Sequence, residues 1–340
     1  MKQRPRIKDI AKRLGVSPAT VSRALSDTGL VAEPTLSRIR EAASALDYRP
    51  NVSARRLRTR RSMAVLMVVR DVGNPFYLEI LKGVEATARA AGYSVLMGNT
   101  ENDPGREAEY FDMLHDGHAD GMILITGKMP GDPDYQARLP KNLPVVVALE
   151  MIPDSGFPHV QIDNEAAAAD AVRHLVELGH HRIAHISGPV PEVLSVHRRA
   201  GYYSAMREAG LDVPDGYDIR GNYLLHGGRE ACRQLFSLPV PPTAIFAAND
   251  EMAMGAIHEL RQMGRDVPGD VSVVGFDDLY LSEAFFPPLT TVSQPRAEIG
   301  RAAMMLLLDM FSGVAAPAEP VVMATELKIR GSTAPVRPDV

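Results

Sequence analysis

The chain has 340 residues, too many for one ordinary core and enough for roughly two to three domains. With 45% apolar and 23% charged residues it has the composition of a soluble protein. No apolar run reaches the ~18 residues of a membrane span, no h-region follows the charged start, and the single cysteine, Cys232, excludes an internal disulfide and a multi-cysteine zinc site. A cytoplasmic location is the simplest expectation. The net charge of −5 divides unevenly. Residues 1–61 hold 15 Lys and Arg against 5 Asp and Glu, a net of +10; the remainder holds 22 against 37, a net of −15. A basic head suited to a polyanion precedes an acidic body.

In the head, Ile7, Ile10, Ala11 and Leu14 recur at helical spacing. Gly15 then supplies a turn. Ser17 is placed to N-cap a second helix with Pro18 at its first position, and Val21, Ala24 and Leu25 give that helix an inner face. A third amphipathic segment, Thr35 to Leu46, closes a small core. This is a helix-turn-helix pattern. Such a unit inserts its second helix N-terminus first into the major groove, which points Pro18, Ala19, Ser22 and Arg23 toward base edges. Ser17 and Thr20 fall near phosphates, where the positive helix end also attracts. Arg23 has the donor fork for guanine; a phosphate contact or a solvated charge is the alternative.

From Arg49 to Ser62 the chain carries six arginines: Arg49, Arg55, Arg56, Arg58, Arg60 and Arg61. Pro50 stops the third helix, and Asn51 caps a turn from Val52 to Leu57. Lone helices shorter than about 12–15 residues are marginal, so order here is expected only with DNA or a second copy. Arg55, Arg56 and Arg58 suit phosphate neutralisation.

From Met63 onward apolar strands alternate with amphipathic helices. Strands are predicted at 64–69, 93–98, 121–126 and 145–149, with helices at 76–91 and 106–115. A second series follows, with helices at 164–178, 197–209, 227–235 and 250–263. Its strands fall at 183–187, near 217–221, at 244–247 and at 271–276. Such alternation implies parallel, doubly wound sheets, whose ligands bind beyond the carboxyl ends of strands. Those ends offer Phe76 and Tyr77 after the first strand, Arg198 after the strand at 183–187, and Asp277 after the strand at 271–276. Asn249 and Asp250 serve equally as a helix cap. Asp163 and Glu150 are weaker candidates on the same rule.

Ile7-Lys-Asp-Ile-Ala11, Gly15-Val-Ser-Pro-Ala-Thr-Val-Ser-Arg-Ala-Leu25, Tyr48-Arg-Pro-Asn51, Ala54 and Leu57 together resemble the lactose-repressor/galactose-repressor family in order and spacing. The resemblance continues through the body. It implies a small all-α helix-turn-helix head on an α/β body of periplasmic-binding-protein type, with two doubly wound subdomains around a cleft. It also places the final segments, 289–292, 296–311 and 321–326. The organisation expected is residues 1–48 for the DNA-binding domain, 49–62 for a hinge helix and linker, and 63–340 for ligand binding and dimerisation. Within the last, one subdomain takes about 63–162 with 293–325 and the other about 163–292.

By resemblance, paired hinge helices carrying Asn51, Ala54 and Arg55 sit in the minor groove. Leu57 there wedges into the central base step, where folding back onto the head is the alternative. Phe76 and Tyr77 fall at a ligand-contacting turn, with the packing of one of them under the helix it begins as the alternative; Arg198 clasps ligand hydroxyls, and Tyr223 stacks on a ligand ring. The expectation is a ligand-responsive regulator, a repressor acting as a homodimer on a near-palindromic operator. Its effector is expected to be a nucleoside such as cytidine, with a monosaccharide as the alternative. No cofactor is expected.

Other classes find less support. His174, His180, His181 and His185 lack metal-ligand spacing. No phosphate-cradling Gly-rich motif and no nucleophile elbow appears. An enzyme on nucleosides or sugars with a fused head would need an acid–base pair that Asp277 alone does not make. A periplasmic transport receptor would not carry the head.

Overall fold

The computed structural model describes residues 5–25, 31–48, 61–140 and 142–337, and the chain divides into two units, 1–62 and 63–340. In the first, α1 (Ile7–Leu14), α2 (Pro18–Leu25) and α3 (Glu33–Ala45) pack on one another around Ile10, Val21, Ala24, Ile39 and Ala42. Helix α1 begins with the Arg6 N–H donating to Asp9 Oδ2 at 2.7 Å. It ends at Gly15, whose φ of +66° is a left-handed conformation that a side chain would strain. Ser17 Oγ accepts from the Thr20 N–H at 3.0 Å, which caps α2 immediately before Pro18.

Among the described residues, twelve strands form two sheets in the second unit. Strands β1 (Ala64–Val69), β2 (Ser94–Asn99), β3 (Gly121–Ile125), β4 (Val145–Ala148), β5 (His159–Ile162) and β11 (Val321–Met323) make the first, in the order β11-β5-β4-β3-β1-β2, all parallel. Strands β6 (Ile183–Ser187), β7 (Asp218–Arg220), β8 (Ala244–Ala247), β9 (Ser272–Asp277), β10 (Thr290–Ser293) and β12 (Glu326–Lys328) make the second, in the order β12-β10-β9-β8-β6-β7. Only β12, on β10, runs antiparallel.

Helices cover both faces of each sheet, which is why a strand such as β1 is apolar throughout. Val65, Met67 and Val69 turn toward α4 (Phe76–Ala90) and α12 (Arg296–Phe311), while Leu66 and Val68 turn toward α5 (Pro104–His115). In the second sheet, Phe246 and Val274 meet α7 (Asn164–Glu177) and α8 (Val193–Glu208). Ile245 and Val273 meet α9 (Leu225–Phe236) and α10 (Asp250–Gln262).

The chain passes between these lobes three times: at Asp163 between β5 and α7, at Gln294–Pro295 between β10 and α12, and at Ala324–Thr325 between β11 and β12. The segment expected as one piece at 321–326 is therefore two strands in different sheets. Three short elements fall outside the sequence expectations: β5, α6 (Pro133–Arg138) and α11 (Tyr280–Ala284). Helix α8 also starts earlier than its apolar spacing predicts, so Arg198 lies within its second turn.

Glycines set how closely paired helices approach. A Cβ on Gly300 of α12 would lie 2.1 Å from the Ile80 carbonyl oxygen, and one on Gly83 of α4 2.0 Å from that of Ala297. Gly228 and Gly255 make the same reciprocal contact between α9 and α10. Helix propensity alone favours Gly300→Ala by about 1 kcal/mol, whereas forcing a methyl into backbone costs about 1–3 kcal/mol. Gly300→Ala is accordingly expected to lower the midpoint of thermal unfolding of the body; an unchanged or raised midpoint would show that the two helices can separate cheaply.

Candidate functional site

A cavity of about 330 Å³ opens between the lobes, at the carboxyl ends of β1, β4, β6, β8 and β9. That is within the range of small-molecule sites, and it is the location a doubly wound sheet dictates. Of the predicted ligand residues, Phe76, Tyr77, Arg198, Tyr223, Asn249 and Asp277 line it. Asp163 does not: its carboxylate accepts from the Ala166 N–H at 2.9 Å and caps α7.

Arg198 is 3% exposed. Its Nε donates to Asn164 Oδ1 at 2.9 Å and its Nη1 to the Ala248 carbonyl at 2.5 Å, with Asp277 Oδ1 at 3.5 Å. The guanidinium carbon stands 3.8 Å from the centre of the Phe276 ring. Asp277 Oδ1 accepts from Gln294 Nε2 at 2.8 Å. Burial pushes the Asp277 carboxyl up to about 6, although Arg198 and Arg296 work against it.

Asn249 lines the cavity and also takes the cap role. Its Oδ1 caps α10 through the Met252 N–H at 3.0 Å, and its Nδ2 donates to the Tyr223 carbonyl at 2.9 Å. Asp250 faces away from the cavity. It accepts from the Leu279 N–H and from the hydroxyls of Ser282 and Thr291, so it fixes the turn after β9. Burial, and then Asp277, raise its carboxyl to about 7.

Phe76 and Tyr77 meet edge to face at 5.5 Å. The Tyr223 hydroxyl pairs with Ser195 Oγ at 2.8 Å, and burial lifts that phenol to about 12. Positive φ is uncommon outside glycine, yet five lining residues show it: Glu101, Asn102, Leu149, Tyr223 and Asp277. Backbone held in that region concentrates at ligand sites, where the surrounding fold enforces it.

Several lining residues escaped the sequence reading. Arg70, one residue past β1, donates from Nη2 to Glu150 at 2.7 Å and from Nη1 to Glu192 at 2.6 Å. Glu192 belongs to the other lobe, so this pair spans the cavity. Burial opposes the Arg70 charge, but Glu150, Tyr77 and Glu192 more than offset it and hold the group protonated. Reading each strand end one residue earlier would have found Arg70. Gln294 and Asn164 sit at lobe crossings, which local sequence pattern does not reveal.

In the head, Pro18, Ala19 and Arg23 lie on the exposed side of α2, with Ser17 exposed at its cap and Thr20 and Ser22 half-buried. Val21 and Ala24 face inward. Asn51, Ala54, Arg55 and Leu57 lie outside the described residues. The histidines take packing roles. His185 stacks between Tyr202 and Phe246, with burial lowering it to about 4, and His180 pairs with Thr243, Ser272 and the Ala334 carbonyl. No metal-holding cluster occurs among the described residues.

Residues 6–51 match the model for bacterial regulatory proteins of the lacI family, and residues 172–333 that for a periplasmic binding protein-like domain. The HTH-type transcriptional repressor CytR of Escherichia coli (strain K12) is 41% identical over 96% of this chain and 96% of its own. The ribose operon repressor of the same strain is 34% identical over 96% and 99%. Among solved structures, the lac repressor dimer bound to operator and the anti-inducer ONPF is 25% identical with a TM-score of 0.85, over 98% of this chain and 100% of that one.

A carboxyl whose folded pKa lies above its unfolded value stabilises fully below the unfolded value, and that contribution is lost as pH rises through the folded one. For Asp277 the window runs from 3.8 to about 6. Asp277→Asn is therefore expected to raise the thermal midpoint of the ligand-free protein at pH 8, by a margin that shrinks toward pH 5. A variant less stable than wild type at pH 8 would mean that the Arg198 and Gln294 contacts outweigh burial.

Proposed function

The chain belongs to the lacI family of bacterial regulatory proteins, and we propose that it is a cytoplasmic repressor whose hold on operator DNA is set by a nucleoside in the inter-lobe cavity. It is a ligand-responsive DNA-binding regulator. Its relatives are named as transcriptional repressors, and we read this chain likewise as a regulator and not as an enzyme.

The observation that carries the reading is a cavity walled from both lobes of a chain that also bears a helix-turn-helix. Arg70, Phe76 and Tyr77 come from the first lobe, and Arg198, Tyr223 and Asp277 from the second. A ligand touching both walls binds the closed arrangement better than the open one and shifts the population accordingly. Three aromatic residues, Phe76, Tyr77 and Tyr223, line the cavity as partners for a base, and Arg198, Asp277 and Asn249 suit ring hydroxyls. The likeness to the ribose operon repressor keeps a monosaccharide as the second reading.

The protein works as a homodimer, and two exposed apolar groups support that state. Strand β2 is an edge strand that leaves Leu96 and Met97 exposed, and Leu78 on α4 is exposed as well. On the second lobe Tyr280 is 71% and Phe286 74% exposed. Unpaired edges and rings of this kind call for a partner. In the proposed dimer, α2 of each head reads a half-site through Pro18, Ala19, Ser22 and Arg23, with Ser17 and Thr20 at phosphates. Residues 49–62 pair in the minor groove between them, with Asn51, Ala54 and Arg55 at the backbone and Leu57 as the wedge. Effector closure alters that pairing, and by linkage the operator changes effector affinity by the same factor.

A thermal-shift screen of the full chain against nucleosides and monosaccharides tests the effector class. A ligand at a hundred times its dissociation constant adds about 2.7 kcal/mol. A nucleoside response supports the first reading, a sugar response the second, and silence from both classes would refute the cavity's assignment. Leu57→Ala is expected to weaken specific operator binding by about tenfold or more, since the wedge drives the kink, while the ligand-induced thermal shift persists. Operator affinity equal to wild type would refute the wedge.

A further inference from the structure

The charges around the cavity go further than the effector's general class. Among the described residues, two arginines and four carboxylates line it: Arg70 and Arg198 against Asp71, Glu101, Glu192 and Asp277. Both guanidinium groups are already engaged. Arg70 divides its terminal nitrogens between Glu150 and Glu192, and Arg198 is held by Asn164, the Ala248 carbonyl and Asp277.

A phosphate group needs either an uncommitted cation or helix N–H donors, and the helix ends near the cavity also have acceptors of their own. The Phe76 N–H at the start of α4 donates to Asn74 Oδ1. Asp163 caps α7, Asn249 caps α10, and α8 begins at the acidic Glu192. By contrast, an acceptor is left over. Gln294 is 4% exposed, and its Nε2 is committed to Asp277; its Oε1 has no hydrogen-bond partner among the described residues. A buried acceptor in that condition requires a donor, and a ligand hydroxyl or amine supplies one.

We propose that the cavity selects an uncharged, donor-rich effector and rejects its phosphate ester, with the Arg70–Glu192 pair as the selecting element. This rests on the nucleoside-or-sugar reading above. Glu192 does two things at once: it neutralises the cation that an ester would seek, and it ties that cation across the lobes. An ester that captured Arg70 would have to break its bridge to Glu192, and it would face Asp71 in doing so, Glu101 being already paired with Arg106 at 2.9 Å. An uncharged ligand leaves the bridge intact and donates to Gln294 Oε1 and Asp277. Rejection here comes from a repulsive arrangement as much as from any attractive contact.

The test is isothermal titration of the full-length protein with two matched pairs: cytidine and its 5′-monophosphate, and ribose and its 5-phosphate. Binding by the uncharged member of a pair, with its ester weaker by about tenfold or more, is the expected result, because like-charge juxtaposition and a lost bridge both oppose the ester. An ester that binds as well as its uncharged partner, or better, overturns the proposal. Silence from all four probes refutes the effector reading beneath it and so overturns both, a pattern distinct from ester binding. Glu192→Gln is the second arm, since the amide neither neutralises Arg70 nor repels phosphate. It is expected to narrow the gap between ester and uncharged partner, and an unaltered gap would remove Glu192 from the selecting role. Thermal unfolding of Glu192→Gln as a cooperative transition certifies that the variant is folded before it is titrated.

Discussion

Burying a guanidinium out of reach of water is the constraint around which the ligand-facing half of the body is arranged. The penalty for such a charge is several kcal/mol unless its donors find acceptors and its plane finds a compatible surface. Arg198 meets those terms with groups from four places: Asn164 at the start of α7, the carbonyl just past β8, Asp277 at the end of β9, and the face of Phe276. These elements cannot shift independently without stranding the charge. The cavity wall on the second lobe is thereby pre-formed, and the raised carboxyl of Asp277 is one consequence of holding it dry. Stability surrendered at such a site is a usual companion of binding function.

Opposite that wall stand the contacts of the first lobe. Arg70 reaches Glu192 across the opening, while three short crossings at Asp163, Gln294–Pro295 and Ala324–Thr325 hold the lobes together. Linkers of one or two residues leave little room for sliding and favour rotation about a shared axis, which is hinge motion in its simplest form. Gln294 lies on one of these crossings and touches Asp277. The hinge and the proposed effector site therefore share a residue, which gives ligand occupancy a short physical route to lobe orientation.

Much of this was legible before any coordinates. β1 reads as a strand because six consecutive apolar residues are buried on both faces, and α4, α7 and α10 read as helices from their spacing. Arg198 and Asp277 stood out as charges beside strongly apolar segments. What escaped were features without local periodicity. β5 is His159-Val-Gln-Ile162, with two buried positions, too few for a pattern. Val321 to Glu326 looks continuous, yet it serves two sheets because the chain crosses inside it. Gln294 and Asn164 owe their place at the cavity to topology, and Asp163 looked like a ligand residue when its carboxylate closes a helix end. Strand-end reasoning leads to the cavity; it does not separate a residue that lines it from one that caps a helix.

The late return of the chain to its first lobe bears on how the protein is made. Strands β1 to β5 emerge early in translation, but α12, which covers one face of that sheet, and β11, which completes its edge, follow the whole of the second lobe. Until they arrive, a nascent chain carries apolar side chains such as Ile123 and Val146 without the cover of α12, and β5 is paired on one side only. Non-local pairing of this kind is slow and leaves intermediates with uncovered surface. The second sheet waits as well, for β12. Neither sheet is complete until β11 and β12 have emerged, so termination before Val321 would leave both with an open flank.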